Sequence, residues 1–253
     1  MVHRAMNTDD VLPVFIGYDS REPEAYQVAK SSLLKHSSIA LHVQKLDERA
    51  LRFSGLYRRK WRTDGNQKID TLDGKSFSTE FSFTRFLVPA LCQWQGYAIF
   101  LDCDWLFRSD IAQILHEIDA SKAVQVCKQD YQPAVDIKMD GQLQQKYFRK
   151  NWSSFMLFNC GHPSTKLLTV DSVNNEPGSW LHAFGWCPDD ELGSLKPQWN
   201  WIDGTTEDEP LAVHYTLGGP WFPHLRNSNL PYFEEWRQEA RRIGVLKKMG
   251  EAA

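Results

Sequence analysis

The chain has no apolar run approaching the ~18 residues a membrane-spanning helix requires. Its opening stretch, Met1 to Asp10, lacks an apolar core and carries His3, Arg4, Asp9 and Asp10, so no secretory leader is expected. Cysteine is sparse: Cys92, Cys103, Cys127, Cys160 and Cys187 are widely spaced and odd in number. That excludes a disulfide framework and a sequence-local metal clip, and predicts reduced, mostly buried thiols in a cytoplasmic compartment. No excess of basic charge exists either. Lys and Arg total 29 against 32 for Asp and Glu, a net charge of −3, so no nucleic-acid footprint is present at chain level. Repeats and low-complexity tracts are absent. With 42% hydrophobic and 24% charged residues, disordered and fibrous architectures are excluded. Aromatic rings, by contrast, are plentiful, with Trp 10, Phe 14 and Tyr 8. Such rings fill a large core or line a site for flat or cyclic ligands.

Along the chain, Val11 to Gly17 is a short Val- and Ile-rich run that reads as a buried strand, ended by the loop Gly17-Tyr18-Asp19-Ser20. Glu24 to His36 reads as a helix with Tyr26, Ala29, Leu33 and Leu34 on one side, and Leu41 to Leu46 as a second strand. Strand, helix, strand is the start of a doubly wound sheet. Asp47 to Ser78 reads as a mobile loop region, with room for short helices, whose basic run, Arg58, Arg59, Lys60, Arg62 and Lys68, either meets phosphates or is simply a solvated charged face. Helical spacing returns from Phe81 to Trp94. Tyr97 to Leu101 is a fully apolar strand, and a helix follows from Ser109 to Ile118, capped by Ser109 or Asp110. Ala123–Cys127, Phe155–Phe158 and Leu211–His214 are further strands. Asn229 to Lys248 reads as a closing amphipathic helix with Phe233, Trp236, Ala240 and Ile243 on its stripe, acidic early and basic late, as the helix dipole favours. Its arginines and lysines allow peripheral membrane contact, but nearby glutamates nearly balance them, which favours a packed covering helix.

The sharpest chemical signal is Leu101-Asp102-Cys103-Asp104 at the end of an apolar strand. Side chains two apart on a strand share a face, so Asp102 and Asp104 converge while Cys103 points away. Two such carboxylates repel unless a positive charge lies between them. The carboxyl end of a strand is where α/β sheets bind ligands, and Mg²⁺ or Mn²⁺ satisfies both conditions. A solvated acidic turn is the plain alternative for so short a motif.

Context extends the motif. Phe83-Thr84-Arg85-Phe86-Leu87 ahead of Tyr97-Ala-Ile-Phe-Leu-Asp102-Cys-Asp104 resembles the donor-binding core of type A nucleotide-sugar glycosyltransferases, most closely glycosyltransferase family 8. Later pieces arrive in that family's order: Phe158-Asn159, Asp189-Asp190-Glu191-Leu192, Trp199-Asn200, and His214-Tyr215-Thr216 with Gly218, Gly219, Pro220 and Trp221. The likeness touches about four fifths of the chain, from Val14 to Trp221.

The resemblance implies an α/β fold: a single type A glycosyltransferase domain with a mostly parallel, Rossmann-like twisted sheet flanked by helices and a C-terminal helix. Within it, 11–130 would be the nucleotide-sugar and metal half, 131–228 the acceptor half and 229–253 the closing helix. It implies a retaining hexosyltransferase that moves sugar from a UDP-sugar, with Mn²⁺ (or Mg²⁺), to a glycan, glycolipid or small acceptor. Metal ligands would be Asp102, Asp104 and His214. Donor contacts would come from Tyr18, Asp19, Arg85, Asp102, Cys103, Asn159, Gly218 and Gly219, and catalytic acids from Asp189 and Asp190. The chain departs from the family in three places. Trp152-Ser153-Ser154 replaces Asn-Ala-Gly, the closing Lys gives way to Gly218-Gly219, and Gly193 replaces an Asn. A glycine turn, or Arg58, Arg59 or Lys60 from the basic loop, would then hold the diphosphate. Trp180, His182, Trp186 and Trp199 suggest an acceptor platform, with core packing the alternative for at least half of them. Two other classes compete: a sugar nucleotidyltransferase, and a non-catalytic carbohydrate-binding protein on the same fold.

Overall fold

The computed structural model describes residues 11–129, 149, 151–205 and 207–248. Met1–Asp10, the opening of the expected acceptor half and the last five residues of the expected closing helix lie outside the described residues. The chain opens with β1 (Leu12–Tyr18), a helix over Pro23–Lys35 and β2 (Leu41–Asp47). Pro23 starts that helix, where its missing N–H and fixed φ are harmless. The face buried is Ala25, Val28, Ala29, Ser32 and Leu33, one turn-spaced stripe, whereas Leu34 is exposed. The expected stripe is therefore out of phase at its end.

Three small antiparallel strands follow: β3 (Trp61–Asp64), β4 (Gln67–Asp70) and β5 (Ser76–Phe77). They occupy the segment read as a loop. The overlooked signal is Asp64-Gly65-Asn66. Gly65 has φ 56°, and the two-residue loop Gly65-Asn66 reverses the chain so that Asp64 pairs with Gln67. Arg59 anchors the unit from inside. Its guanidinium is 1% exposed, donates to both Asp70 carboxylate oxygens at 2.9 and 2.7 Å and to the Val173 and Glu176 carbonyls, and lies 4.1 Å from the Phe83 ring centre. This member of the basic run is a structural ion pair, while Arg58 pairs with Asp171 at the surface.

The central sheet adds β6 (Tyr97–Leu101), β8 (Val124–Val126), β9 (Phe155–Asn159) and β10 (Leu192–Ser194), in the order β10-β8-β9-β6-β1-β2. Strands β1, β2, β6, β8 and β10 run in one direction and β9 against them. β6 and β9 lie at its centre and are buried at every position, as their unbroken apolar sequences require. Each such side chain contributes roughly 1.5–3 kcal/mol. A separate ribbon pairs β7 (Trp105–Phe107) antiparallel with β11 (Ala212–His214).

Two expected helices are shorter or tighter. Phe81–Trp94 becomes a 3₁₀ turn, Thr84–Leu87, and a short helix, Val88–Leu91, because Pro89 and left-handed Gln93 and Trp94 interrupt it. Ile111–Glu117 is a 3₁₀ segment capped by the Asp110 carboxylate. The closing helix spans Phe233–Arg242, and Gly244 at φ 74° separates it from Val245–Lys248. Phe233, Trp236 and Ala240 face inward, and Glu239 accepts from Ser31 on the first helix. Among the described residues no helix is long and apolar enough to cross a membrane.

Replacing Asp70 with Asn leaves the Arg59 charge buried without its counter-ion. Asp70→Asn should cost about 3 kcal/mol, as breaking a buried pair does, read from the urea midpoint. A midpoint within error of the parent would show that Arg59 is not the anchor.

Candidate metal centre

Strand β6 ends at Leu101, and the next three residues turn between it and β7. Asp102 N donates to the Ser154 carbonyl at 3.0 Å, and Tyr215 N donates to the Asp104 carbonyl at 2.9 Å, so both ends of the turn are tied to other elements. Cys103 is 1% exposed and faces the core; burial, with Glu22 and the neighbouring carboxylates, pushes its thiol well up. Its side chain is thus turned into the core, away from the carboxylates.

Asp102, Asp104 and His214 each offer a ligand atom, all within 4.8 Å of one another. The three positions expected from sequence to be metal ligands are brought together, with His214 arriving from β11 because that strand pairs with β7 directly after the acidic turn. His214 Nε2 lies 3.4 Å from Asp104 Oδ1. Its Nδ1 lies 2.8 Å from Asn200 Oδ1. The Asn200 amide nitrogen donates to Ser154 Oγ and the Asn151 carbonyl, so its oxygen faces His214 and accepts. His214 Nδ1 therefore donates to Asn200, and Nε2 is the ring nitrogen turned toward the carboxylates. The ring also stacks on Trp105, centroids 4.9 Å apart and planes within 12°. Two carboxylates and an imidazole oriented by Asn200 form a donor set that could hold a divalent cation.

Arg85 stands behind the triad. Its Nη1 is 2.9 Å from Asp102 Oδ1 and 2.8 Å from the Ser153 carbonyl, and its guanidinium carbon lies 4.9 Å from the Phe100 ring centre. The expected donor contact of Arg85 is in this structure an ion pair to a metal-ligand candidate. Ser153 and Ser154, marked in the sequence only as a departure, thus frame the site through their carbonyls. Asn200 is visible in the sequence only as part of a Trp-Asn pair, and nothing there signals the role of its amide.

The remaining site candidates sit as follows. Asp19 is fully buried and accepts from Arg21 N, Nε and Nη2 and from Glu80 N. Burial pulls its pKa up, but the bonds and charge of Arg21 with the Glu80 N–H outweigh this and hold it below the usual carboxylate value. Tyr18 packs edge-on to Tyr26 with the Lys45 ammonium 4.1 Å from its ring centre. Asn159 pairs with Tyr97, where β6 begins, and donates to the Ala120 carbonyl. β9 runs antiparallel, so Asn159 lies at the far end of β6 from Asp102. Asp189 and Asp190 precede β10, which runs with β6, so they too lie toward the strand beginnings. Asp189 is 81% exposed and paired with Arg149, and neither acid belongs to the triad. Gly219 is required for packing: a Cβ there would stand 2.0 Å from the Trp221 ring, whose Nε1 donates to Glu22. Gly218 has φ 114° and meets the Phe222 ring in the same way.

Of the aromatic group, Trp186 and Trp199 are core residues, 1% and 0% exposed. His182 bridges Ser153 Oγ, 2.9 Å from its Nδ1, and packs edge-on to Phe86. Burial, then the charges of Arg85 and Arg59, lower its pKa to about 3.

No model of a known protein family matches the chain. Protein CDI of Arabidopsis thaliana is 41% identical over 241 residues, which are 90% of this chain and 88% of that protein. The crystal structure of the glycosyltransferase GlyE in Streptococcus pneumoniae TIGR4 superposes with a TM-score of 0.55 at 15% identity, over 92% of this chain. The chain spans only 60% of the length of GlyE. The galactosyltransferase LgtC, in complex with donor and acceptor sugar analogs, gives a TM-score of 0.52 at 11% identity, over 91% of this chain and 96% of its own. At these identities the two structures establish the fold, a type A glycosyltransferase fold.

Two outcomes follow from this geometry. Asn200→Leu should weaken Mn²⁺ binding 10- to 100-fold, the usual range for lost support of a ligand, while the circular dichroism spectrum stays native; unchanged titration by electron paramagnetic resonance would contradict the orienting role. His182 is neutral when folded and titrates near 6.5 when unfolded, so the unfolded chain binds the extra proton as pH falls below that value. Stability is then full above pH ~6.5 and about 2 kcal/mol lower at pH 5. Urea midpoints at the two pH values measure it, and His182→Gln should flatten the difference.

Proposed function

We infer that this chain, which belongs to the Protein CDI family, is a divalent-metal-dependent glycosyltransferase that takes sugar from a nucleotide diphosphate donor. The observation that carries this reading is the convergence of Asp102, Asp104 and His214 at the carboxyl end of β6 on a type A glycosyltransferase fold. Ligand sites in open α/β sheets lie at that end.

The costly event in glycosyl transfer is departure of the nucleotide diphosphate, which gains negative charge as the sugar becomes cation-like. A divalent cation bound at the triad supplies Lewis-acid stabilisation of that charge. The protein groups prepare the place for it. Asp102 and Asp104 concentrate negative charge beyond the strand end. Arg85 holds Asp102 at one angle, and Asn200 keeps His214 Nε2 directed inward. With the turn tied at Ser154 and Tyr215, the carboxylates need little reorganisation when the donor binds.

The finer features of the reading are UDP as the nucleotide, a hexose as the sugar, retention of configuration and a glycan, glycolipid or small acceptor. They are supported by the sequence resemblance to family 8. Asp189 and Asp190 lie toward the strand beginnings, away from the triad, so the chemistry is assigned first to the triad. The β1 loop favours this over nucleotidyl transfer: Asp19 is closed onto Arg21, and no glycine-rich phosphate cradle follows the strand.

Asp104→Asn should remove Mn²⁺-stimulated hydrolysis of UDP-glucose or UDP-galactose by at least 100-fold and abolish the Mn²⁺-dependent rise in melting temperature with UDP, leaving the unliganded melting temperature within a few degrees. Wild-type turnover in that variant sinks the metal role. Release of pyrophosphate from a nucleoside triphosphate and a sugar phosphate would instead identify a nucleotidyltransferase.

A further inference from the structure

At the start of the closing helix lies a cavity of about 680 Å³, and none of Asp102, Asp104 and His214 lines it. Its size falls within the range of small-molecule sites, about 300–1,000 Å³. Two aromatic rings make one corner. Trp201 and Tyr232 both line the cavity, with ring centres 5.0 Å apart and planes at 86°. The backbone at Tyr232 is left-handed, with φ 60° and ψ 7°, a costly conformation for a residue with an aromatic side chain. Tyr215 Oη holds it there, donating to the Tyr232 carbonyl at 2.8 Å. Arg108 braces the ring, its guanidinium carbon 4.6 Å from the ring centre. Residues 229–231 also line the cavity, and Arg237 fixes the chain ahead of them. Its Nε donates to the Arg226 carbonyl at 2.9 Å and its Nη2 to the Ser228 carbonyl. The cavity is therefore formed before any ligand arrives, which reduces the ordering cost of binding.

Charge and polarity decide what fits. Glu234 accepts from Arg237 at 3.3 Å and from Arg241 at 2.8 Å. Glu235 accepts from Arg108 through both oxygens, at 2.8 and 3.3 Å. These arginines neutralise the two lining carboxylates, which leaves little attraction for a cation, while the carboxylate oxygens repel a phosphate. Asn229, Glu234, Glu235 and Arg237 together make the lining too polar for an acyl chain. The remaining class is a neutral molecule with an apolar face to lie on an aromatic ring and hydroxyls to donate to the spare carboxylate lone pairs. A pyranose ring has both.

We propose that this cavity binds a ring of a neutral saccharide, stacked at the Trp201–Tyr232 corner with its hydroxyls on Glu234 and Glu235. The inference concerns binding alone and does not rest on the glycosyltransferase reading. Saturation-transfer-difference NMR on the full chain tests it, with lactose, maltose and cellobiose as probes and neither metal nor nucleotide present. Expected is transfer to the ring C–H protons of at least one probe, with a Kd of about 1–10 mM. Tyr232→Gly suits the left-handed backbone and removes the ring, so affinity should fall about tenfold while the circular dichroism spectrum stays native. Glu234→Gln changes an exposed side chain and should weaken binding about threefold, an independent reading should glycine at 232 unfold the start of the helix. The proposal is overturned if no probe shows transfer at about 50 mM, or if affinity is unchanged in both variants. It is also overturned if binding appears only with Mn²⁺ and UDP, which would put the sugar at the triad. Metal-free binding that depends on Tyr232 and Glu234 upholds it whether or not Asp104→Asn abolishes turnover.

Discussion

The site is built around a repulsion. Asp102 and Asp104 stand two residues apart at the end of a fully buried strand, where low dielectric strengthens the force between their charges. Everything in contact with them answers that force. Arg85 sits behind Asp102, the His214 ring faces Asp104, and backbone bonds from Ser154 and Tyr215 fix the turn from both sides. The residues that fix these partners are themselves held: Arg85 by the Ser153 carbonyl and the Phe100 face, His214 by Asn200 and Trp105. A cation bound between the two acids would neutralise the charge that Arg85 alone offsets only in part.

The antiparallel course of β9 decides much of what surrounds this centre. Because β9 runs against β6, its beginning, Ser153-Ser154-Phe155, lies beside the acidic turn, and its end, Asn159-Cys160, lies beside the beginning of β6. The carboxylate and imidazole candidates thus gather at one end of the sheet.

Long apolar runs are legible because burial on both faces leaves a strand little freedom in composition. Tyr97–Leu101 and the Phe155 strand match their observed bounds within a residue. The three metal-ligand candidates are legible too, although His214 is tied to the aspartates only through likeness to a family. The short helix Glu48–Phe53 fits the reading of the region after Asp47, but the strands from Trp61 to Phe77 are missed when charge is weighed above turn chemistry. Gly65-Asn66 signals the hairpin, and a fully buried Arg59 cannot be recognised among exposed arginines until its partner, Asp70, is seen. A helix over Phe81–Trp94 is too long because aromatic spacing carries it through Pro89.

By its own residues the chain determined an α/β architecture, an acidic pair after an apolar strand and an aromatic core, since each of these is a pattern among neighbours in sequence. Only the tertiary structure decided which distant groups serve that pair. Asn200 orients His214, Arg85 grips Asp102 rather than standing free, and Asp189 and Asp190 lie elsewhere. The physical reason is that the direction of a strand, and hence the end of the sheet at which its terminus emerges, depends on pairing between segments remote in sequence. Hydrophobic periodicity is the same for a strand running either way.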